Sequence, residues 1–300
     1  SAAHAYADNF YAGPLLASVG HATAVDPDAR LTALARTRGW PICHLDVPEG
    51  VVKLAGRELQ EWLRPFAGVG AVLNARIEIG GLEHVPGRGG AILAFNHRSY
   101  FDAAVAGLMA AQAGRAVRGL GKNEVLDAPV LGLLARAAGT IRVDRGTGSH
   151  EPLEAAALAL RAGEVVMIAP QGTIPRGPAF FEPELKGRWG VARLAAMTRA
   201  PVIPMGLWGT EQVWPRNARL PRIDPRRRPR VTVRIGPPVQ LTYDDLDTDT
   251  KRVMAALMDL LPPEAHERRT PTEEELRRTY PPGYRGDPAR EAARRPGRDI

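Results

Sequence analysis

Ala91-Ile92-Leu93-Ala94-Phe95-Asn96-His97-Arg98-Ser99-Tyr100-Phe101-Asp102-Ala103-Ala104-Val105 joins an unbroken apolar run to a polar turn and then to an apolar helical pattern. A short apolar run bounded by a turn reads as a strand covered on both faces, as in a parallel sheet. Ser99 stands where a helix N-cap belongs. His97 and Asp102 lie five residues apart, which on one continuous helix would set them about 140° apart. The spacing therefore places His97 on the turn and Asp102 in the first helical turn, pointing back. A carboxylate on one imidazole nitrogen leaves the other as a general base at the carboxyl end of a strand, where open α/β sheets take ligands.

The same alternation continues outward. Strands are expected at Arg76–Ile79, Ala91–Phe95, Val117–Leu120, Thr140–Val143, Val165–Ile168, Val202–Leu207 and Val231–Ile235. Helices are expected at Phe101–Ala113, Glu124–Ala138, Glu151–Arg161, Lys186–Thr198 and Asp244–Leu261. This predicts one α/β domain over 76–262, with a largely parallel central sheet flanked by helices. Residues 1–46 read as a separate, short βαβαβ fragment: strands at Ala2–Ala7, His21–Val25 and Trp40–Leu45 around two helical patterns. Residues 47–75 read as a linker with an amphipathic helix, Val51–Val72, either packed on the core or entering a lipid interface through Trp62 and Phe66. Residues 263–300 mix charges and prolines and predict a weakly ordered tail.

Composition narrows the partners. The net charge is +7, and eight arginines against one acid lie between Arg216 and Arg234. Such a run suits a solvated loop or a phosphate-bearing surface. Aromatic residues do not interleave with it and no base-reading motif is present, so a nucleic-acid partner is not expected. No apolar run reaches eighteen residues, so no membrane-spanning helix is expected. The single Cys43 excludes an intramolecular disulfide and a thiolate metal cluster.

Further segments converge on the strand ends. Gly139 through Gly146 places Arg142 and Arg145 at the end of one strand. Pro170-Gln171-Gly172-Thr173-Ile174-Pro175-Arg176-Gly177 follows another, and its glycines and Arg176 suit a phosphate or an oxyanion. Taken singly, these arginines read more readily as solvated surface residues and the glycines as ordinary turns.

Together, these segments resemble the four ordered motifs of the glycerolipid acyltransferase family, the PlsC-type lysophosphatidic acid acyltransferases. Asn96, His97 and Asp102 match the first motif and Gly139 to Arg145 the second. Gln171-Gly172-Thr173-Ile174 matches the third, and Pro201 to Pro204 the fourth. Lys122-Asn123-Glu124 and Lys186-Gly187 also resemble family positions. The third motif departs from the family: Gln171 replaces its acid and Ile174 its first arginine.

The resemblance implies transfer of a fatty acyl group from acyl-CoA or acyl carrier protein to the free hydroxyl of lysophosphatidic acid, giving phosphatidic acid in phospholipid synthesis, with no metal or cofactor. His97 would be the base and Asp102 its partner. Asn96, Lys122, Arg142, Arg145, Gln171, Gly172, Thr173 and Arg176 would line the substrate site. An anionic membrane surface would be a partner, on the cytoplasmic face of the cell membrane. A different lysophospholipid or glycolipid acceptor, or a catalytically silent lipid-binding module, stays open. Tyr6 through Leu16, Val19-Gly20-His21 and Asp26-Pro27-Asp28 resemble the closing stretch of a haloacid dehalogenase-type phosphatase, with Ala12 where that family carries a metal-side aspartate.

Overall fold

The computed structural model describes residues 3–43 apart from 26, 53–122 apart from 55, 56, 67, 69 and 71, then 126, 132, 135, 139–143, 151–222, 224 and 226–285. Its strands are β1 (His4–Ala7), β2 (His21–Val25), β3 (Ile42–Cys43), β4 (Lys53–Leu54), β5 (Arg57–Glu58) and β6 (Arg76–Gly80). They continue as β7 (Ala91–Phe95), β8 (Val117–Lys122), β9 (Ile141–Val143), β10 (Val165–Ile168), β11 (Val202–Trp208) and β12 (Arg230–Ile235). The helices are α1 (Gly13–Ala17), α2 (Ala29–Arg38), α3 (Leu59–Leu63), α4 (Phe101–Gln112) and α5 (Glu151–Arg161). After them come α6 (Gly190–Thr198), α7 (Thr210–Val213), α8 (Leu246–Asp259) and α9 (Glu273–Arg278).

The central sheet has seven strands in the order β6-β12-β11-β7-β10-β8-β9. β7 is buried along its whole length because it has a neighbour on each edge and a core on each face. Val105, Met109 and the rest of the α4 stripe pack on one side, against Leu93 and Met205. α5, α6 and α8 cover the other side, against Ile92, Val166 and Val202. All neighbours are parallel except β11 and β12, which pair antiparallel. Parallel neighbours need a long crossover, whereas an antiparallel pair does not. Among its described residues the 209–229 connection carries the four-residue α7 and no longer helix, so the chain returns alongside itself. One end of the sheet therefore gathers the carboxyl ends of β7 to β11 and the amino ends of β6 and β12.

The expected Val51–Val72 helix is replaced by shorter elements. β4 and β5 form a hairpin, and α3 starts at Leu59 under a capping box in which Glu58 and Glu61 exchange side-chain and backbone contacts. Pro65 lacks an N–H and clashes with the carbonyl four residues back, which ends the α-helix. Glu58 also has a tertiary role. It pairs with Arg118 on β8, which is fully buried and also holds Glu164. Burial alone would lower the Arg118 pKa, but the hydrogen-bonded Glu58 and Glu164 carboxylates more than offset it and hold the guanidinium above its usual value. Gly139, at φ +61°, passes directly over this guanidinium, where any Cβ would collide with it. The second motif's glycine thus has a packing reason. The expected Glu124–Ala138 helix falls almost wholly outside the described residues.

Residues 3–43 form their own parallel sheet, β1-β2-β3. Leu16, Ala24, Leu31 and Ala35 make its separate small core. Asp28 caps α2 and also accepts from Phe10 N, contacts that lower its pKa. At the other end of the chain, residues 263–285 are not the weakly ordered tail expected. Thr272 and Glu275 form a capping box that starts α9, and Thr279 is 3% exposed.

Candidate active site

The turn after β7 is built by the groups that would otherwise be left without partners there. Asp102, in the first turn of α4, is fully buried. Its Oδ2 accepts from Arg98 N at 2.6 Å and Ser99 N at 2.7 Å, and lies 2.8 Å from His97 Nδ1. An oxygen that takes two backbone donors is an acceptor, so the proton of the third contact sits on Nδ1. That leaves Nε2 of His97 as the basic nitrogen, without a hydrogen-bond partner among the described residues. The imidazole is 23% exposed and edges the Phe95 ring at 5.9 Å. Ser99 is also fully used: its hydroxyl accepts from Phe101 N at 2.9 Å and donates to Trp214 O at 2.6 Å.

Asn96, expected to line the substrate site, is instead a bracket between strands. Its Nδ2 donates to Leu207 O at 2.9 Å and its Oδ1 accepts from Leu207 N at 2.6 Å. The residue is buried and both ends of its amide are occupied on β11. A substrate hydroxyl has no open atom to meet there. Gln171 is likewise buried, and its Oε1 accepts from His97 N at 2.6 Å. The loop after β10 thereby fixes the backbone of the base. An amide oxygen suffices for that contact, which gives the lost acid of the third motif a physical account.

Gly172, at φ +68°, turns this loop back on Ala169, and Thr173 follows it, half-buried. Ile174 is buried, and its carbonyl accepts from Arg216, an arginine of the loop after β11. Arg176 lies with its guanidinium 4.9 Å from the Tyr284 ring, against the C-terminal segment rather than in the open. Thr279 Oγ1 accepts from Gly177 N at 2.7 Å, and Arg269 covers the Phe181 ring at 4.8 Å. The tail is thus one wall of the third-motif loop. Lys122 and Arg142 stand on β8 and β9 at the same end of the sheet, but their side chains and the whole of Arg145 lie outside the described residues.

Sequence reasoning missed Arg98. Its guanidinium sits between the rings of Phe180, at 4.3 Å, and Trp208, at 4.1 Å. It also pairs with Glu211 at 3.2 Å. Stacked between two rings and paired, it locks the residue next to His97 to β11 and α7. The legible signal was its place inside the motif; its partners lie far off in sequence.

A carboxyl group with three contacts behind a His whose other nitrogen is open, at the carboxyl end of a buried strand, is a general-base device. The family comparison agrees: residues 76–208 match the Acyltransferase family model. Over these residues the chain is similar to acyltransferase domains.

An uncharacterized protein of Mycobacterium tuberculosis is 31% identical over 152 residues, 47% of this chain and 39% of that one. A 1-acyl-sn-glycerol-3-phosphate acyltransferase of Limnanthes douglasii is 30% identical over 192 residues, 62% of this chain and 63% of the relative. The chain thus spans about two fifths of the length of the mycobacterial relatives it matches. Among solved structures, the PlsC acyltransferase of Thermotoga maritima aligns at a TM-score of 0.45 and 20% identity, covering 66% of this chain and 79% of that chain. The short N-terminal unit has its own likeness: 38 residues are 55% identical to a phosphoserine phosphatase of Mycobacterium tuberculosis, 13% of this chain and 12% of the phosphatase.

Proposed function

We propose that the acyltransferase domain moves a fatty acyl group from an acyl thioester, acyl-CoA or acyl carrier protein, to the free hydroxyl of lysophosphatidic acid, giving phosphatidic acid. The observation that carries this reading is the His97 imidazole, held at Nδ1 by Asp102 and open at Nε2. Nε2 takes the acceptor's hydroxyl proton as that oxygen attacks the thioester carbonyl. Asp102 stabilises the imidazolium that forms. The tetrahedral intermediate collapses, the C–S bond breaks, and the thiolate takes the proton back from Nε2, leaving ester and thiol.

Transfer is direct. Ser99, the hydroxyl nearest in sequence, is buried and donates to Trp214 O, while Cys43 belongs to the N-terminal unit. The Limnanthes relative's name supports the lysophosphatidic acid acceptor. A second reading has its own observation: Gln171 and Ile174 leave the third motif uncharged, and Arg176 lies against Tyr284, which favours a less phosphate-dependent lysolipid. Incubation with labelled acyl-CoA or acyl carrier protein and a panel of lysolipids separates the two. Diacyl product from lysophosphatidic acid ahead of the others supports the first. Preference for lysophosphatidylcholine or a glycolipid supports the second, and no product with any acceptor or donor would sink both.

A further inference from the structure

The arginine run from Arg216 to Arg234 divides into side chains tied to the fold, some of them still exposed, and side chains that reach solvent untied among the described residues. Arg216 is buried on Ile174 O, Arg228 donates to Ala75 O at 2.9 Å, and Arg230 pairs with Glu78 at 2.6 Å. Arg219, Arg222, Arg226 and Arg227 remain exposed, with Asp224 the single acid in the 215–229 stretch.

Their position follows from topology. The loop leaves the carboxyl end of β11, touches the catalytic turn through the Ser99–Trp214 hydrogen bond and the Tyr100–Trp214 ring contact at 5.7 Å, and returns to the amino end of β12. The turn before β6 ends at the same place. There Asn74 Nδ2 donates to Arg222 O at 3.1 Å, setting Leu73 beside the loop that carries Leu220. These leucines are 71% and 67% exposed.

Two exposed leucines beside a loop that carries four exposed arginines match an interface that takes apolar tips into the acyl boundary while guanidiniums meet lipid phosphates. Bases of a nucleic acid would call for stacking aromatics, and the loop's own Trp214 is buried. We propose that this rim docks on an anionic bilayer and so seats the His97 cleft on the membrane that supplies its acceptor. The lipid acceptor read above underlies the orientation, but docking itself needs no turnover.

The test is co-sedimentation of the full chain with phosphatidylcholine vesicles, with and without phosphatidylglycerol. The protein should bind the anionic vesicles and release them as salt rises. Combined R219A, R222A, R226A and R227A should weaken that binding by tenfold to roughly 10³-fold, from about 1 kcal/mol per basic residue near an anionic surface. Leu73→Ser with Leu220→Ser should weaken it further, while turnover of a short-chain, water-dispersed acceptor stays at the parent rate. All six side chains are exposed, and an unchanged far-UV CD spectrum would show that the variants fold. Parent-level binding by the quadruple arginine variant, or equal binding to neutral vesicles at high salt, would overturn the proposal. So would a variant that binds vesicles normally yet fails only with an acyl carrier protein donor, since the rim would then serve an acidic protein. His97→Ala should bind vesicles as the parent does, which keeps a failure of docking distinct from a failure of the chemistry.

Discussion

Replacing Asn96 by alanine removes both hydrogen bonds that tie the end of β7 to Leu207 on β11. Leu207 N and O are then left buried without partners, each at about 1–3 kcal/mol. Together this is roughly 2–6 kcal/mol. At roughly 2–4 °C per kcal/mol for a domain of this size, the Tm should fall by roughly 4–24 °C. Differential scanning calorimetry would measure the drop. Kinetics on the remaining folded protein, well below its Tm, would show a lower kcat because His97 is the next residue. KM for the acceptor should change little. Asn96→Asp should be no better than alanine: one oxygen can still accept from Leu207 N, but the other faces the Leu207 carbonyl. An unchanged Tm with a raised acceptor KM would refute the bracket and place Asn96 on the substrate.

Gln171→Glu should keep kcat within a few-fold, since a carboxylate oxygen can still accept from His97 N. Gln171→Leu should lose about tenfold, the kinetic equivalent of roughly 1.4 kcal/mol. Equal activity in both variants would mean the contact does not hold the base. Arg118→Leu leaves Glu58 and Glu164 facing each other in the interior, a loss of about 3–5 kcal/mol that urea unfolding would report; a neutral outcome would discredit the latch. Glu275 is held down to about 2 by its hydrogen bonds with Arg269 and with the Thr272 backbone. Its folded value lies below its usual 4.5, so its contribution to the α9 cap is full above that value and fades as pH falls toward about 2. An NMR titration of the Glu275 carboxyl should give that low midpoint, and one near the ordinary value would show that the tail is loose.

Strands were legible as short apolar or alternating runs between turns, and all seven members of the central sheet fall on expected strands. The His97–Asp102 geometry was legible because helix periodicity forbids the pair on one continuous helix face. The antiparallel junction of β11 and β12 left a signal too, the lack of a crossover-length helix between Gly209 and Pro229. What the sequence could not display were contacts between distant positions. Asn96 meets Leu207, Arg118 meets Glu58 and Glu164, and Arg98 meets Phe180, Trp208 and Glu211. The 263–285 part of the tail was misread for a different reason. Its charge and prolines outweighed one local sign, the Thr272–Glu275 capping box, which is a helix start readable from sequence.

The proposed mechanism requires His97 Nε2 as the base. The direct measurement is diacyl product formed from labelled acyl-CoA and lysophosphatidic acid by His97→Ala, beside the parent chain at matched folded concentration. His97 sits on a turn with its imidazole partly open to solvent, so the variant should keep the parent's thermal unfolding. Its rate should fall by roughly 10²–10⁴-fold, the range that a positioned general base contributes. A folded His97→Ala protein that turned over at the parent rate would contradict the mechanism outright.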